Sequence, residues 1–269
     1  MTDWRRIRRT TVKILVCVKQ VPDSGESQAA LDSKSHTLRR EKMRMTLNPV
    51  DGCCFETALR MKEKYGGSVS LVSMGRPETA DMLRSLSAIG GDAFYLISDA
   101  KLAGADTYAT AFVLGRVVQF LGGFDLILCG ERTTDGETGQ VGPSLAAMLE
   151  YKFAGGITEI ELRKEEGGYA VCYTAKGVLK YPLPLVATVK RNCVLRYPTL
   201  TGLRRADGRE IRILDVSLLG ADVEPLTQVI AVERKEVGKR WPVWYLPEKE
   251  GLKRLLTESG LDVAIGMDE

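Results

Sequence analysis

Short apolar runs alternate with segments of helical periodicity through the first half of the chain. Lys13–Val18 (KILVCV), Ser68–Met74 (SVSLVSM), Ala93–Ser98 (AFYLIS) and Phe124–Gly130 (FDLILCG) are strand-length runs with few polar interruptions. That is the pattern of strands covered on both faces. Between them, the segment from Val50 to Tyr65 brings Phe55, Ala58, Leu59 and Met61 near one helical face and stops at Gly66–Gly67. A second helix is predicted from Pro77 to about Ala88, ahead of Gly90–Gly91, and a third over Thr107–Leu121, following the preference for proline at helix starts and glycine past their ends. Strand and helix in strict alternation predict right-handed crossovers and an α/β, doubly wound parallel sheet.

The pattern changes after residue 150. The stretch "GITEIELRKEEGGYAVCYTAKGVLKYPLPLVATVKR" reads as several strands joined by tight glycine turns such as Glu166–Gly168, which predicts antiparallel additions to the sheet. Arg191–Glu210 reads as a polar loop with apolar and basic residues interleaved, and "WPVWYLPEKEGLKRLLTESG" as an aromatic-proline segment leading into a short amphipathic helix. Trp241, Trp244 and Tyr245 in that C-terminal arm need a surface to pack on, either their own domain or another subunit. Three parts follow: a basic extension over 1–11, an α/β nucleotide-binding domain over 12–232, and an arm over 233–269.

Doubly wound sheets bind ligands beyond the carboxyl ends of their strands, where the winding reverses. The segments that look chemical leave the four predicted strands in that direction: "VCVKQVPD", "SMGRPE", "SDAKLAGADT" and "CGERTTDGETGQ". The last opens Gly130–Leu149 (GERTTDGETGQVGPSLAAML), a glycine-rich turn running into a helix expected near Pro143. Such a turn lets backbone approach an anion closely and aims free N–H groups at it. Asp135–Gly136 reads as the tight turn, Thr138 as the helix cap, and Gly139, Gln140 and Val141 as donors to phosphate. No Gly-Lys-Ser/Thr follows at Walker spacing, and Ser144 lacks the flanking glycines of a nucleophile elbow. Two further helix starts repeat the device: Asn48–Pro49 with Asp51 as a candidate cap, and Asp106–Thr107 after Gly104. The first reads more simply as a capped helix and nothing more; the second reads equally as one.

Composition narrows the function. With 269 residues, 44% hydrophobic and 27% charged, the chain is too polar to span a membrane, and a net charge of +3 gives nucleic acid little support as a partner. The six cysteines (Cys17, Cys53, Cys54, Cys129, Cys172, Cys193) have no metal-clamp spacing and His36 is the sole histidine, which argues against a zinc site and for a reducing cytoplasm. No paired carboxylates and no nucleophile beside a histidine stand out. The residues describe a binder of a nucleotide-bearing cofactor rather than an enzyme that uses its own side chains.

Six motifs in order, "VKILVCVKQVPD", "LNPVDGCCFETALRMKEKYGG", "SVSLVSMGRP", "SDAKLAGADTYAT", "CGERTTDGETGQVGPSLA" and "RYPTLTGLRRA", make the chain resemble the β subunit of electron-transfer flavoproteins from about Val12 to Val232. The resemblance implies an adenine-nucleotide-binding domain, a C-terminal arm gripping an α subunit in a heterodimer, and loops that hold AMP or, in electron-bifurcating members, a second FAD. The implied contacts are Cys17; Asn48, Pro49, Val50 and Asp51; Met74 and Gly75; and Gly130, Thr133, Thr134, Asp135, Gly136, Glu137, Thr138, Gly139, Gln140 and Val141. "SDAKLAGADTYATAFVL" resembles the bifurcating and nitrogen-fixation-associated branch, which adds Gly104, Asp106, Thr107 and Thr110 to the FAD contacts and NADH as an electron donor. Lys101 and Leu102 depart from the arginine and phenylalanine that many members of that branch carry. "RYPTLTGLRRA" resembles the loop that docks a partner dehydrogenase or quinone reductase, with Leu200 as anchor flanked by Arg204 and Arg205. No nucleic acid and no direct membrane insertion are implied. The alternative is a homodimeric nucleotide-sensing module of related α/β fold.

Overall fold

The computed structural model describes residues 11–23, 44–163, 168–227 and 257. The chain divides into two units, Met1–Val232 and Glu233–Glu269. Trp241, Trp244, Tyr245 and, apart from Thr257, the expected C-terminal helix lie outside the described residues, as do nearly all of the basic N-terminal extension and the expected turn at Glu166.

The first strand shows how the sheet is built. In β1 (Val12–Cys17), Ile14 and Val16 enter one hydrophobic cluster while Leu15 enters another, with Cys17 packed beside it. Side chains that alternate with period two therefore feed two separate cores. The same alternation runs through β6 (Leu126–Gly130), where Leu126 and Leu128 take one side and Ile127 and Cys129 the other. On the first face lie α1 (Pro49–Tyr65) and α2 (Thr79–Ser87), bringing Phe55, Ala58, Leu59, Leu83 and Leu86. On the second lie α3 (Thr107–Phe120) and α4 (Val141–Leu149), bringing Val113, Val117, Leu145 and Ala146.

β4 (Gly67–Met74) and β5 (Ala93–Ile97) extend the sheet on one side of β1, and β6 pairs on the other, all parallel. The winding therefore reverses between β1 and β6, and the loops that leave β1, β4, β5 and β6 share one edge, as the strand pattern predicts.

After residue 150 the expectation of antiparallel hairpins holds in part. β7 (Lys152–Arg163), β8 (Tyr169–Thr174) and β9 (Gly177–Pro182) form an antiparallel meander. β10 (Leu185–Val189) instead inserts parallel between β6 and β7. All five of its residues are buried, and a strand this apolar is satisfied only inside the sheet. The complete order is β11-β5-β4-β1-β6-β10-β7-β8-β9, with β11 (Arg212–Leu214) parallel to β5. A separate antiparallel ribbon joins β2 (Gln20–Pro22) to β3 (Met45–Leu47). The stretch read as a polar loop over Arg191–Glu210 contains a short helix, α5 (Leu200–Ala206), and α6 (Val216–Leu219) follows β11.

Phe55 is fully buried and fixes α1 against the sheet. Phe55→Ala is expected to lower stability by about 3–5 kcal/mol, read as a fall in the urea midpoint at unchanged m-value.

Candidate functional site

At the switch point the ends of β1 and β6 are held together by one buried carboxylate. Asp51 lies in the first turn of α1 and accepts from the Lys19 N–H after β1 (2.8 Å) and from Asn48 Nδ2 (2.9 Å). It also accepts from the Gly130 N–H at the end of β6. A Cβ at Gly130 would come within 2.3 Å of Asp51 Oδ1, so only glycine allows strand and carboxylate this close. Sequence reading assigns Asp51 as the cap of its helix; the structure corrects this. Asn48 holds the N-cap position without a side-chain cap bond, and Asp51 spends its oxygens on the neighbouring strand ends. Asn48 instead donates to the Arg132 carbonyl (3.1 Å), joining the α1 start to the glycine-rich loop.

That loop folds as its composition suggests, with one correction. Thr134–Gly136 form a turn, closed by the Glu137 N–H donating to the Thr133 carbonyl (3.0 Å). Glu137 and Gly139 both have positive φ, 49° and 64°. The helix begins at Val141, before Pro143, with Gln140 at the N-cap position and no side-chain cap bond. Thr138 is exposed and does not cap it. The leading N–H groups of this nine-residue helix are therefore left without a side-chain acceptor from the cap residue. Lys19 bonds Asp135 with both oxygens at 2.8 Å and ties the β1 loop to the glycine-rich loop. Sequence reasoning missed Lys19, although the "VKQ" after β1 carries it.

The other predicted contacts line the same edge. Cys17 ends β1, where its hydrogen bond to Cys129, then burial, push its thiol well above the usual range. Met74 ends β4, and Gly75 bonds the Ile97 carbonyl through its N–H (3.0 Å). Gly104 takes φ +80° before Asp106, which caps α3 by accepting from the Ala109 N–H (2.8 Å). The second oxygen of Asp106 accepts from Thr227, a partner the sequence does not announce. Thr107 Oγ1 donates to Gln140 Oε1 (3.3 Å) and joins the third loop to the fourth, while Thr110 lies in the first turns of α3. Pro49 and Val50 start α1 beside Gly130.

The electrostatics are muted despite several acidic groups. Asp135 is neutralised by Lys19. Burial pushes Asp51 up, against the pull of its hydrogen bonds from Lys19, Asn48 and Gly130, to about 7. Asn48 Oδ1 is buried with no hydrogen-bond partner, a polar atom that asks for one. An edge with glycine turns, an uncapped helix start, one half-exposed lysine and few uncompensated charges can accept an anionic, hydrogen-bonding ligand.

Leu200, Arg204 and Arg205 are not part of this site. They lie on α5, which packs against α2, and Leu200 is 82% exposed. Val194 and Tyr197 beside it are also exposed. Among the described residues no helix is long and apolar enough to cross a membrane, and no cluster of histidine, cysteine or acidic groups could hold a metal.

A doubly wound parallel sheet with its polar loops gathered at the switch point defines an α/β protein of the ligand-binding kind. The electron transfer flavoprotein domain matches residues 36–218. The electron transfer flavoprotein subunit beta of Thermoanaerobacterium thermosaccharolyticum is 33% identical over 91% of this chain and 96% of its own. That of Megasphaera elsdenii is 37% identical over 78% and 81%. The caffeyl-CoA reductase-Etf complex subunit CarD of Acetobacterium woodii is 34% identical over 79% and 82%. The chain belongs to the electron-transfer flavoprotein family, on the β-subunit side. Its role is electron transfer, which sets aside the homodimeric sensing module.

Asp51 yields a pH prediction with a definite sign. Its folded value of about 7 lies above the ordinary 3.8, so its contribution to stability is complete below about pH 4 and is lost as pH rises through 7. The stability advantage of wild type over Asp51→Asn should shrink across that window, by at most ~1.4 kcal/mol per pH unit. Urea unfolding of both proteins at pH 5 and pH 8 measures it, and a gap independent of pH would contradict the assignment.

Proposed function

We propose that the chain is the β subunit of a cytoplasmic heterodimer with an electron-transfer flavoprotein α subunit, and that its switch-point edge holds FAD as in electron-bifurcating members. The carrying observation is the uncapped start of α4 behind the Thr133–Val141 loop, at an edge where Asp135 is paired with Lys19 and burial raises the Asp51 carboxyl. Gly139, Gln140 and Val141 supply backbone N–H groups to the pyrophosphate there, and Asn48 and Lys19 bound the same space from the α1 side. The bond from Thr107 to Gln140 brings the third loop, with Gly104, Asp106 and Thr110, beside the fourth, which supports a ligand longer than a mononucleotide. AMP, needing only the fourth loop and the α1 start, is the second reading.

Bound flavin supplies the electron chemistry, with NADH as donor in the bifurcating reading. The chain itself binds, orients and shields. Leu200, with Arg204 and Arg205 flanking it, docks a partner dehydrogenase or quinone reductase. A relative named as part of a caffeyl-CoA reductase complex supports an oxidoreductase of CoA thioesters as the partner to try first. The C-terminal arm over 233–269 packs on the α subunit.

The cofactor is tested by co-purifying the chain with its α subunit, denaturing the complex and counting FAD and AMP per heterodimer. Two FAD without AMP is the expected result. One FAD with one AMP would make the edge a structural nucleotide holder, and no flavin at all would overturn the proposal. Docking has a separate test: Leu200→Ala should raise the heterodimer concentration that half-saturates electron transfer from an acyl-CoA dehydrogenase by about tenfold, with cofactor content intact.

A further inference from the structure

We infer that Arg196 is a positioning residue: by clamping onto Glu56 and Glu63 of α1 it presets the apolar face of Val194, Tyr197 and Leu200 for an electron-transfer partner, an inference that rests on the docking reading above. Residues 193–199 belong to no helix or strand. Their conformation must come from tertiary ties, and α1 provides them. Cys53 Sγ donates to the Cys193 carbonyl at 2.8 Å. Leu195 lies against Gly52, where a Cβ would find it 3.6 Å away. Arg196 donates to Glu56 Oε2 through its backbone N–H (3.2 Å) and Nε (2.9 Å), and to Glu56 Oε1 through Nη2 (3.0 Å). The same guanidinium reaches Glu63 through Nη1 and through Nη2 (3.2 Å). Glu56 and Glu63 are two turns apart, so one planar fork spans a single stripe of α1.

Inward ties at 193, 195 and 196 leave position 194 between them, and 197 and 200 beyond them, turned out. Val194 is 81% exposed, Tyr197 89% and Leu200 82%, side chains whose apolar surface the fold itself does not use. The clamp is stronger than a surface pair, because the Glu56 side chain is only 4% exposed and is poorly screened by salt. Burial would raise the Glu56 carboxyl, but its bonds from Arg196 and Arg60 outweigh that and bring it down to about 2, so the clamp stays charged at neutral pH. Downstream, Thr199 caps α5 by accepting from the Gly202 N–H (3.0 Å). A Cβ at Gly202 would fall 2.0 Å from the Ala88 carbonyl oxygen, so α5 is seated backbone to backbone on the end of α2. The face is thus held at both ends. A partner meeting preordered apolar side chains avoids the cost of ordering them on binding. The occupant it fits is a protein with an apolar pocket and an acidic rim, the complement of exposed Arg204 and Arg205.

Arg196→Met keeps the length of the side chain and leaves Glu56 its second partner, Arg60 at 2.8 Å, so no buried carboxylate is orphaned. Hydrogen exchange followed by mass spectrometry on the heterodimer should show amides 197–203 exchanging at least tenfold faster, with α1 and the sheet as in wild type. In electron transfer from an acyl-CoA dehydrogenase, the half-saturating heterodimer concentration should rise about tenfold at unchanged maximal rate. Unchanged exchange at 197–203, or faster exchange spread equally through α1 and the sheet, would overturn the inference. So would an unchanged half-saturating concentration in Arg196→Met when Leu200→Ala raises it. If Leu200→Ala itself leaves transfer intact, the docking reading falls and the clamp's role falls with it.

Discussion

The structure depends on a carboxylate buried where two strand ends and a helix start meet. Asp51 collects N–H groups from Lys19 and Gly130 and the amide of Asn48, three donors that would otherwise end their strands or turns facing an interior with no water. Without an acceptor there, the β1 and β6 loops would be free to part at the point where the winding of the sheet reverses. Burial makes the group costly to ionise, and the donors offset that cost without removing it. The result is a rigid corner with little net charge, a feature more useful to a binding edge than to the core below it.

From that corner the same helix serves two surfaces. The first turn of α1 closes the switch-point edge, and its second and fourth turns carry Glu56 and Glu63, which hold the exposed segment before α5. The two surfaces lie on one rigid element, so the distance from the switch-point edge to the exposed face before α5 is set by helix geometry rather than by loop conformation. In the proposed docking and cofactor roles, that arrangement fixes the partner's approach relative to the switch-point loops.

The interior does little chemistry. Two hydrophobic clusters, one on each face of the parallel sheet, take up most of the buried apolar residues of α1 to α4, and burial pushes up the thiols of Cys54 and Cys172. All six cysteines are free. The proposed sites lie at the carboxyl edge of the strands and on one loop beside it, the arrangement expected where a fold supplies position and a cofactor would supply reactivity.

Much of this was legible in the chain. The four first parallel strands and the first three helices follow from hydrophobic runs and their punctuation, since local periodicity reports which side of an element is covered. The loops of the switch-point edge follow as well, because parallel strands must deliver them to one side. Less local facts were not legible. β10 looks like one more hairpin strand, and its place between β6 and β7 depends on both faces finding cover. Asp51 has the sequence signature of a helix cap, and only the approach of β1 and β6 makes it a staple. Lys19 and Asp135 are 116 residues apart and Arg196 and Glu56 are 140 apart; no periodicity links such pairs. The sequence by itself determined the first four parallel strands, the first three helices and the side to which their loops are delivered; the tertiary structure alone decided which charges meet, because pairing across the sheet depends on strand order, which local pattern does not encode.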